Sequence, residues 1–296
     1  MATYENRYWW SNDGLRLHAR DYPARSPEGA VERPPILCLP GLTRNARDFD
    51  LLADRLSAEW RVVVVDLRGR GESAYAKDSM TYVPLAYVQD VDALLGELGI
   101  NRFVAIGTSL GGIVTMLLAG AGRGTIAGAV LNDVGPEVEA AGLARIRSYV
   151  GKSSSWPTWV HAARGLAEAN GDVYPNYQLS DWLAMAKRLY RLNSAGRIVL
   201  DYDLKIAEPL RVPGNEAGPD MWGAFDRLNN VPVLVVRGAL SDILSDSVAH
   251  RMTERLGSAE LITVPDTGHA PTLDEPIVGA AIDRLLDRVL VEPAIP

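Results

Sequence analysis

The sequence predicts an α/β fold: a mostly parallel twisted sheet with helices on both faces and a helical segment inserted after the sixth strand. Three observations carry this. Short β-branched or apolar runs alternate with stretches of helical periodicity from residue 36 to residue 131. The alternation stops after Pro136 and resumes at Val231. At 296 residues the chain is long for one core and short for two ordinary domains, so one domain with a sizeable insertion fits.

Taken in order, Tyr4 to Tyr22 mixes aromatic and polar residues around Asn12-Asp13-Gly14, which predicts two antiparallel edge strands joined by a tight turn. Ile36 to Leu39 is a short buried strand ended by Pro40-Gly41. Ala46 to Ser57 has helical spacing in Phe49, Leu52, Ala53 and Leu56. Val62 to Val65 is β-branched throughout, as suits a strand covered on both faces. A loop from Asp66 to Ser73 follows. Leu85 to Leu98 is an amphipathic helix with Gly99 as its stop. A strand over Phe103 to Ile106 then runs straight into the helix Ile113 to Ala119, and Ile126 to Leu131 is the next strand.

From Glu137 to about Trp222 the pattern is mainly helical: Glu137 to Val150, Trp159 to Ala169 and Leu179 to Leu192, with no alternating strand evident. After it come the strand Val231 to Val236, the helix Asp246 to Leu256, the strand Leu261 to Val264 and the helix Pro276 to Val291. The expected division is a core of residues 1–135 and 224–296 with a helical cap, residues 136–223, between them.

Composition narrows the function classes. Apolar residues make up 47% and charged residues 23%, as in ordinary globular proteins. The net charge of −7, with no Lys/Arg cluster among aromatics, argues against a nucleic-acid partner. The single cysteine, Cys38, lies in an apolar strand and reads as a buried, inert thiol. Four scattered histidines form no metal-ligand cluster, and no cofactor motif is present. The first residues lack the pattern of a secretory leader and no run is long enough to span a bilayer, so the expected compartment is the cytoplasm and the expected partner a small-molecule substrate. The oligomeric state is not encoded in any readable pattern.

The chemistry centres on Gly107-Thr108-Ser109-Leu110-Gly111-Gly112, a Gly-x-Ser-x-Gly element between a strand and a helix. The glycines let the chain turn sharply and present the Ser109 hydroxyl at the sheet edge. A serine hydroxyl needs a base, and the base needs an orienting acid. His269 is the expected base, because its loop follows the last strand and should open at the same edge. His18, His161 and His250 fall on an edge strand, in the insertion and within a helix, where structural or solvated roles are expected. Asp242, in the loop after Val236, is the preferred acid, and Asp133, just past Leu131, is held in reserve. The chain order Ser, Asp, His fits both. Asp246 stands at a helix start, where a dipole role explains it better. The expected oxyanion donors are the backbone N–H groups of Leu42 and Leu110.

With these pieces in view, the sequence resembles the α/β-hydrolase superfamily, in particular its members with a helical cap. The matching pieces are Pro40-Gly41-Leu42, Asp66 to Ser73, Gly107 to Gly112, Ser241-Asp242 and Gly268-His269, which together cover nearly all the chain outside the cap. Many relatives carry His-Gly where this chain has Pro40-Gly41, so a polar contact from that histidine is absent. Serine at position 109 sets the chain apart from the dehalogenases and epoxide hydrolases of the superfamily, which use aspartate there. Ser109 also replaces the middle glycine of a dinucleotide-binding loop. The resemblance implies a serine hydrolase acting on a small or medium, fairly apolar ester or lactone through an acyl-enzyme. The alternative is a C–C hydrolase of vinylogous diketo acids from ring cleavage, whose substrate carboxylate requires a cation from the cap. Arg188, Arg191 and Arg197 are the candidates. Such enzymes tend to carry tryptophan after the catalytic histidine, where this chain has Ala270, so the ester reading leads. A third implication, a non-catalytic ligand receptor on a retained site, is the remotest. The apolar wall of the site is expected from Trp156, Trp159, Trp182 and Trp222.

Overall fold

A computed structural model describes residues 2–26, 33–121, 125–212 and 220–291. Met1, residues 213–219 of the expected cap and the tail after Val291 lie outside the described residues.

The strands β1 (Glu5–Trp10) and β2 (Arg16–Tyr22) form an antiparallel hairpin at one edge. The chain continues through β3 (Ile36–Leu39), α1 (Asp50–Leu56), β4 (Val62–Asp66), α2 (Pro84–Glu97), β5 (Arg102–Thr108), α3 (Leu110–Ala121) and β6 (Thr125–Asn132). An insertion follows, with α4 (Ala140–Tyr149), β7 (Ser155–Trp156), α5 (Trp159–Asn170), α6 (Leu179–Leu189), β8 (Tyr190–Leu192), β9 (Ile198–Leu200) and α7 (Trp222–Phe225). The sheet resumes with β10 (Val233–Gly238), α8 (Asp246–Leu256), β11 (Glu260–Val264) and α9 (Pro276–Val291). The eight-stranded sheet has the order β1-β2-β4-β3-β5-β6-β10-β11 and is parallel from β4 to β11.

Alternation along each strand divides the core into two layers. Leu37, Val63, Ala105, Leu131 and Val235 face one layer with residues of α2, α3 and α8, while Cys38, Val64, Ile106, Val130 and Val236 face the other with α1 and α9. In α2 the buried Tyr87, Val88, Val91, Leu94 and Leu95 make one helical stripe. Cys38 is fully buried, and burial pushes its thiol well up, which accords with an inert side chain.

The insertion has its own apolar cluster, built on Ala162, Leu166, Trp182, Met185 and Ile198. It also holds a feature absent from the helical expectation: a three-stranded antiparallel sheet, β7-β9-β8. The expected helix to Leu192 ends at Leu189, and the chain turns at Asn193 to Gly196 to form the β8–β9 hairpin. Strands of two or three residues are too short for alternation to register in the sequence.

Candidate active site

The strand β5 ends at Thr108, paired with Asn132 of β6, and α3 begins two residues later. Ser109 bridges them in the left-handed region, with φ of +51°. Its N–H donates to Asn132 O (2.9 Å), and its own carbonyl accepts from Gly112 N–H (2.9 Å) and Ile113 N–H (3.2 Å). This turn leaves no room for side chains two residues to either side of Ser109: a Cβ on Gly107 would fall on the Gly111 carbonyl, and one on Gly111 on the carbonyl of Leu39.

His269 brings its ring to Ser109. Ser109 Oγ lies 2.8 Å from His269 Nε2, and His269 Nδ1 lies 2.7 Å from Asp133 Oδ2. A carboxylate only accepts, so Nδ1 carries the ring proton and Nε2 accepts from the serine hydroxyl. The Asp133 side chain is fully buried. Asp133 has φ of +55°, and its N–H donates to Val236 O (2.7 Å). Its Oδ1 accepts from Gly238 N–H (2.8 Å), and Oδ2 also accepts from Ser241 Oγ (2.6 Å).

The carboxylate at His269 is therefore not the preferred Asp242 but Asp133, the one held in reserve. Asp242 is bidentate with Arg145 of α4, with Nη2 to Oδ1 at 2.7 Å, and these hydrogen bonds hold its carboxyl below the usual range. Its position explains this. Asp133 is the first residue past β6, the strand between β5 and β10, so the ring of His269 reaches Ser109 with one nitrogen and Asp133 with the other. Asp242 lies four residues past the end of β10, where the loop has turned toward the insertion. Ser241, named in the sequence only beside Asp242 and assigned no role there, is the residue of that loop that reaches Asp133.

The His269 loop is held from both sides. Leu240 N–H donates to Thr267 O (2.9 Å) and Asn132 Nδ2 to Pro271 O (2.8 Å) from the core. Gly268 N–H donates to Val173 O (2.7 Å), and the Tyr174 hydroxyl donates to Ala270 O (2.9 Å), both from the insertion. Leu42 lies on the loop after β3, where the ideal Cβ position of Gly41 is 3.7 Å from Ser109 Cβ. Among the described residues no acceptor takes the N–H of Leu42 or of Leu110. The Leu42 carbonyl accepts from Nε of the buried Arg70 (2.8 Å), which steadies that loop.

A cavity of about 550 Å³ opens over Ser109 and His269. The insertion supplies its apolar wall, with Ile146, Tyr149, Trp156, Leu166, Met185 and Tyr190. Of the four expected tryptophans, only Trp156 lines it. Trp182 is buried within the insertion's cluster, Trp159 packs against that cluster, and Trp222 meets Phe225 edge to face between Arg251 and Arg255. Of the expected arginines, Arg188 lines the cavity, whereas Arg191 pairs with Asp201 (3.1 Å) and Arg197 bonds Ser155.

The cavity wall carries Arg44, Arg145, Lys152 and Arg188 against one carboxylate, Asp48. Arg44 is bidentate with Asp48, and Arg145 with Asp242. Arg188 is less fully paired: its Nη1 is 3.5 Å from Asp274, and its buried Nε has no hydrogen-bond partner among the described residues. Burial pushes the Asp274 carboxyl up to about 6, against the pull of Arg188. The other histidines lie apart. His18 is buried between Asp66 and Asn6, His161 meets Thr158, and His250 is exposed on α8. Asp246, in the first turn of α8, faces His250 and Arg237. Among the described residues no His/Cys/Asp/Glu cluster could hold a metal ion, and no helix is long and apolar enough to cross a membrane.

Comparison with known proteins gives consistent findings. The profile of a family described as "Alpha/beta hydrolase family" matches residues 36–281. A crystal structure of an alpha/beta hydrolase from Novosphingobium aromaticivorans is 58% identical, with a TM-score of 0.91 over 97% of this chain and 99% of that one. A 3-hydroxybutyrate-oligomer hydrolase of Cupriavidus necator is 32% identical over 249 residues, 81% of this chain and 84% of that protein. An esterase of Mycobacterium tuberculosis is 25% identical over 255 residues, 82% of this chain and 79% of that protein.

Proposed function

Because the chain belongs to the alpha/beta hydrolase family, we propose that it is a serine hydrolase that cleaves carboxylic esters through an acyl-enzyme. The observation that carries this reading is the continuous relay from Ser109 Oγ through His269 to Asp133, with spacings of 2.8 and 2.7 Å. Ser109 attacks the ester carbonyl carbon while His269 Nε2 takes the hydroxyl proton. Asp133 holds the ring by Nδ1–H and stabilises its charged form. The oxyanion rests on the N–H groups of Leu42 and Leu110. The tetrahedral species collapses, and the ester oxygen leaves with the proton held on Nε2. Water then attacks the acyl carbon, giving one proton to Nε2. The second collapse returns that proton to Ser109 and frees the acid.

The insertion acts as a cap that roofs the site and selects the substrate. A cavity of about 550 Å³ suits a small or medium molecule. Its aliphatic and aromatic wall favours an apolar chain, and Arg188, which Asp274 holds only at 3.5 Å, favours an anionic end beside Lys152. The substrate class is therefore a short ester with an apolar body and a carboxylate, which Arg188 receives. An oligomer of a hydroxy acid has that chemistry, and a relative named for 3-hydroxybutyrate oligomers supports it.

The test is a substrate panel: p-nitrophenyl esters of increasing acyl length, a linear dimer of 3-hydroxybutyrate and a ring-cleavage dienoate. Repeated turnover of the esters is expected, lost in Ser109→Ala. Arg188→Gln should raise KM for the acidic dimer about tenfold or more and leave the neutral esters nearly unchanged. A kcat/KM orders of magnitude higher on the dienoate would replace the ester reading by the C–C reading. A single turnover with tight retention would favour the receptor.

A further inference from the structure

We propose that Ser241 is a positioning residue of the proposed relay, a hydroxyl that sets both the orientation and the basicity of the carboxylate behind His269. The inference rests on the reading of Ser109, His269 and Asp133 as a relay.

The argument is one of donors and acceptors. A serine hydroxyl has one hydrogen and two lone pairs. Ser241 Oγ accepts from Ile243 N–H (3.2 Å) and Leu244 N–H (3.1 Å), which occupy both lone pairs. Its hydrogen is then committed to the remaining neighbour, Asp133 Oδ2, at 2.6 Å. That oxygen is the one that faces His269 Nδ1. Oδ2 thus divides its negative charge between the imidazole and a hydroxyl whose direction is not free, while Gly238 N–H holds Oδ1. A donor on a carboxylate stabilises its charged form and weakens its pull on the next proton. With the carboxylate fully buried, no water screens this effect.

Other charges surround the ring and are constant in the comparison. Asp242, in the same loop as Ser241, acts on His269 through its charge and is itself tied to Arg145 of α4. The Tyr174 hydroxyl comes from the insertion, and the Arg44–Asp48 pair lies on the β3 side. None of them donates to Asp133. Among the described residues, Ser241 is therefore the side-chain donor, besides His269 itself, through which the carboxylate is tuned.

The experiment follows the ring rather than the reaction. The His269 titration is recorded by NMR in the parent, Ser241→Ala and Ser241→Thr, with His269→Ala used to assign the signal among the four histidines. Ser241→Ala should move the midpoint up by about half a pH unit or more, because the carboxylate holds the imidazolium more tightly once its other donor is gone. The Nδ1–H proton resonance should move with it, and Ser241→Thr, which keeps a hydroxyl, should return both toward the parent values. The acid limb of kcat/KM should follow the same order. A folded Ser241→Ala protein, judged by its melting curve, whose His269 midpoint and Nδ1–H resonance stay in place overturns the proposal. So does an equal shift in Ser241→Thr. If Ser241→Ala does not fold, Ser241→Cys, a weaker donor of similar size, must give a shift of the same sign or the proposal fails. The NMR result stands whether or not an ester is turned over, so a failed substrate panel and a failed role for Ser241 are distinguishable.

Discussion

Asp133 and Asp242 are two carboxylates with opposite fates at one sheet edge. One is sealed from solvent and faces only donors; the other is half-buried and tied to a guanidinium. Their substitutions should separate accordingly. Asp133→Asn keeps the shape but offers an N–H to Nδ1, which turns the ring to the wrong tautomer, and kcat should fall about 10⁴-fold. Asp242→Ala should leave kcat within about tenfold, since it touches the ring by charge alone. Steady-state kinetics on one ester settles this, and a severe loss confined to Asp242→Ala would reverse the assignment. That Ser109 and His269 would meet could be read from the chain, because each sits against a strand end with its own local pattern. Which carboxylate would meet His269 could not, because Ser, Asp, His order holds for both candidates. The choice depends on which strand lies beside β5, and sheet order is a long-range property that no local pattern states. Ser241 was hidden for the same reason: only the sheet brings it to Asp133.

At the scale of elements, the insertion is fastened to the core at the places where the chemistry would occur. Its helix α4 meets the β10 loop through Arg145 and Asp242, and Glu139 N–H donates to Ile243 O (3.0 Å). Its α6 meets the β3 loop where Arg47 and Asn45 donate to the Arg188 carbonyl. Arg145→Ala removes the first of these ties and a cation of the cavity wall together. The expected outcome is a rise in KM for an acidic ester of about three- to tenfold with kcat within about threefold, read from initial rates. A large fall in kcat with KM unchanged would place α4 in the chemistry rather than in binding. The helices of the insertion were legible from their apolar spacing, and α5 and α6 lie close to their expected spans. Which of their faces lines the cavity was not legible, because tryptophan serves an interior cluster as readily as a pocket wall. Trp182 fills the first role and Trp156 the second.

For the whole molecule, charge buried near the cavity links stability to pH. Asp274 has a folded value of about 6 against 3.8 as an ordinary carboxyl, so folding favours its protonated form. An acid raised in this way opposes folding increasingly as pH climbs from about 4 to about 6, and fully above that. Asp274→Asn removes the opposition. Its melting temperature should exceed the parent's at pH 7.5, and the gap should close as pH falls toward 4. A gap independent of pH would mean that packing, not ionisation, governs the site. The insertion also bears on the molecule as a whole through where it joins the sheet. It leaves after β6 and returns at β10, which are neighbouring strands, and Met221 N–H donates to Pro136 O (3.1 Å) across its neck. A parallel pair needs a crossover of some kind, and the entropy of closing one grows only with the logarithm of its length. The sheet is therefore nearly indifferent to how long or how elaborate this crossover is. The insertion can be lengthened, trimmed or exchanged beyond Asp133 while the strand order, and with it the placing of Ser109 and His269, is left as it stands.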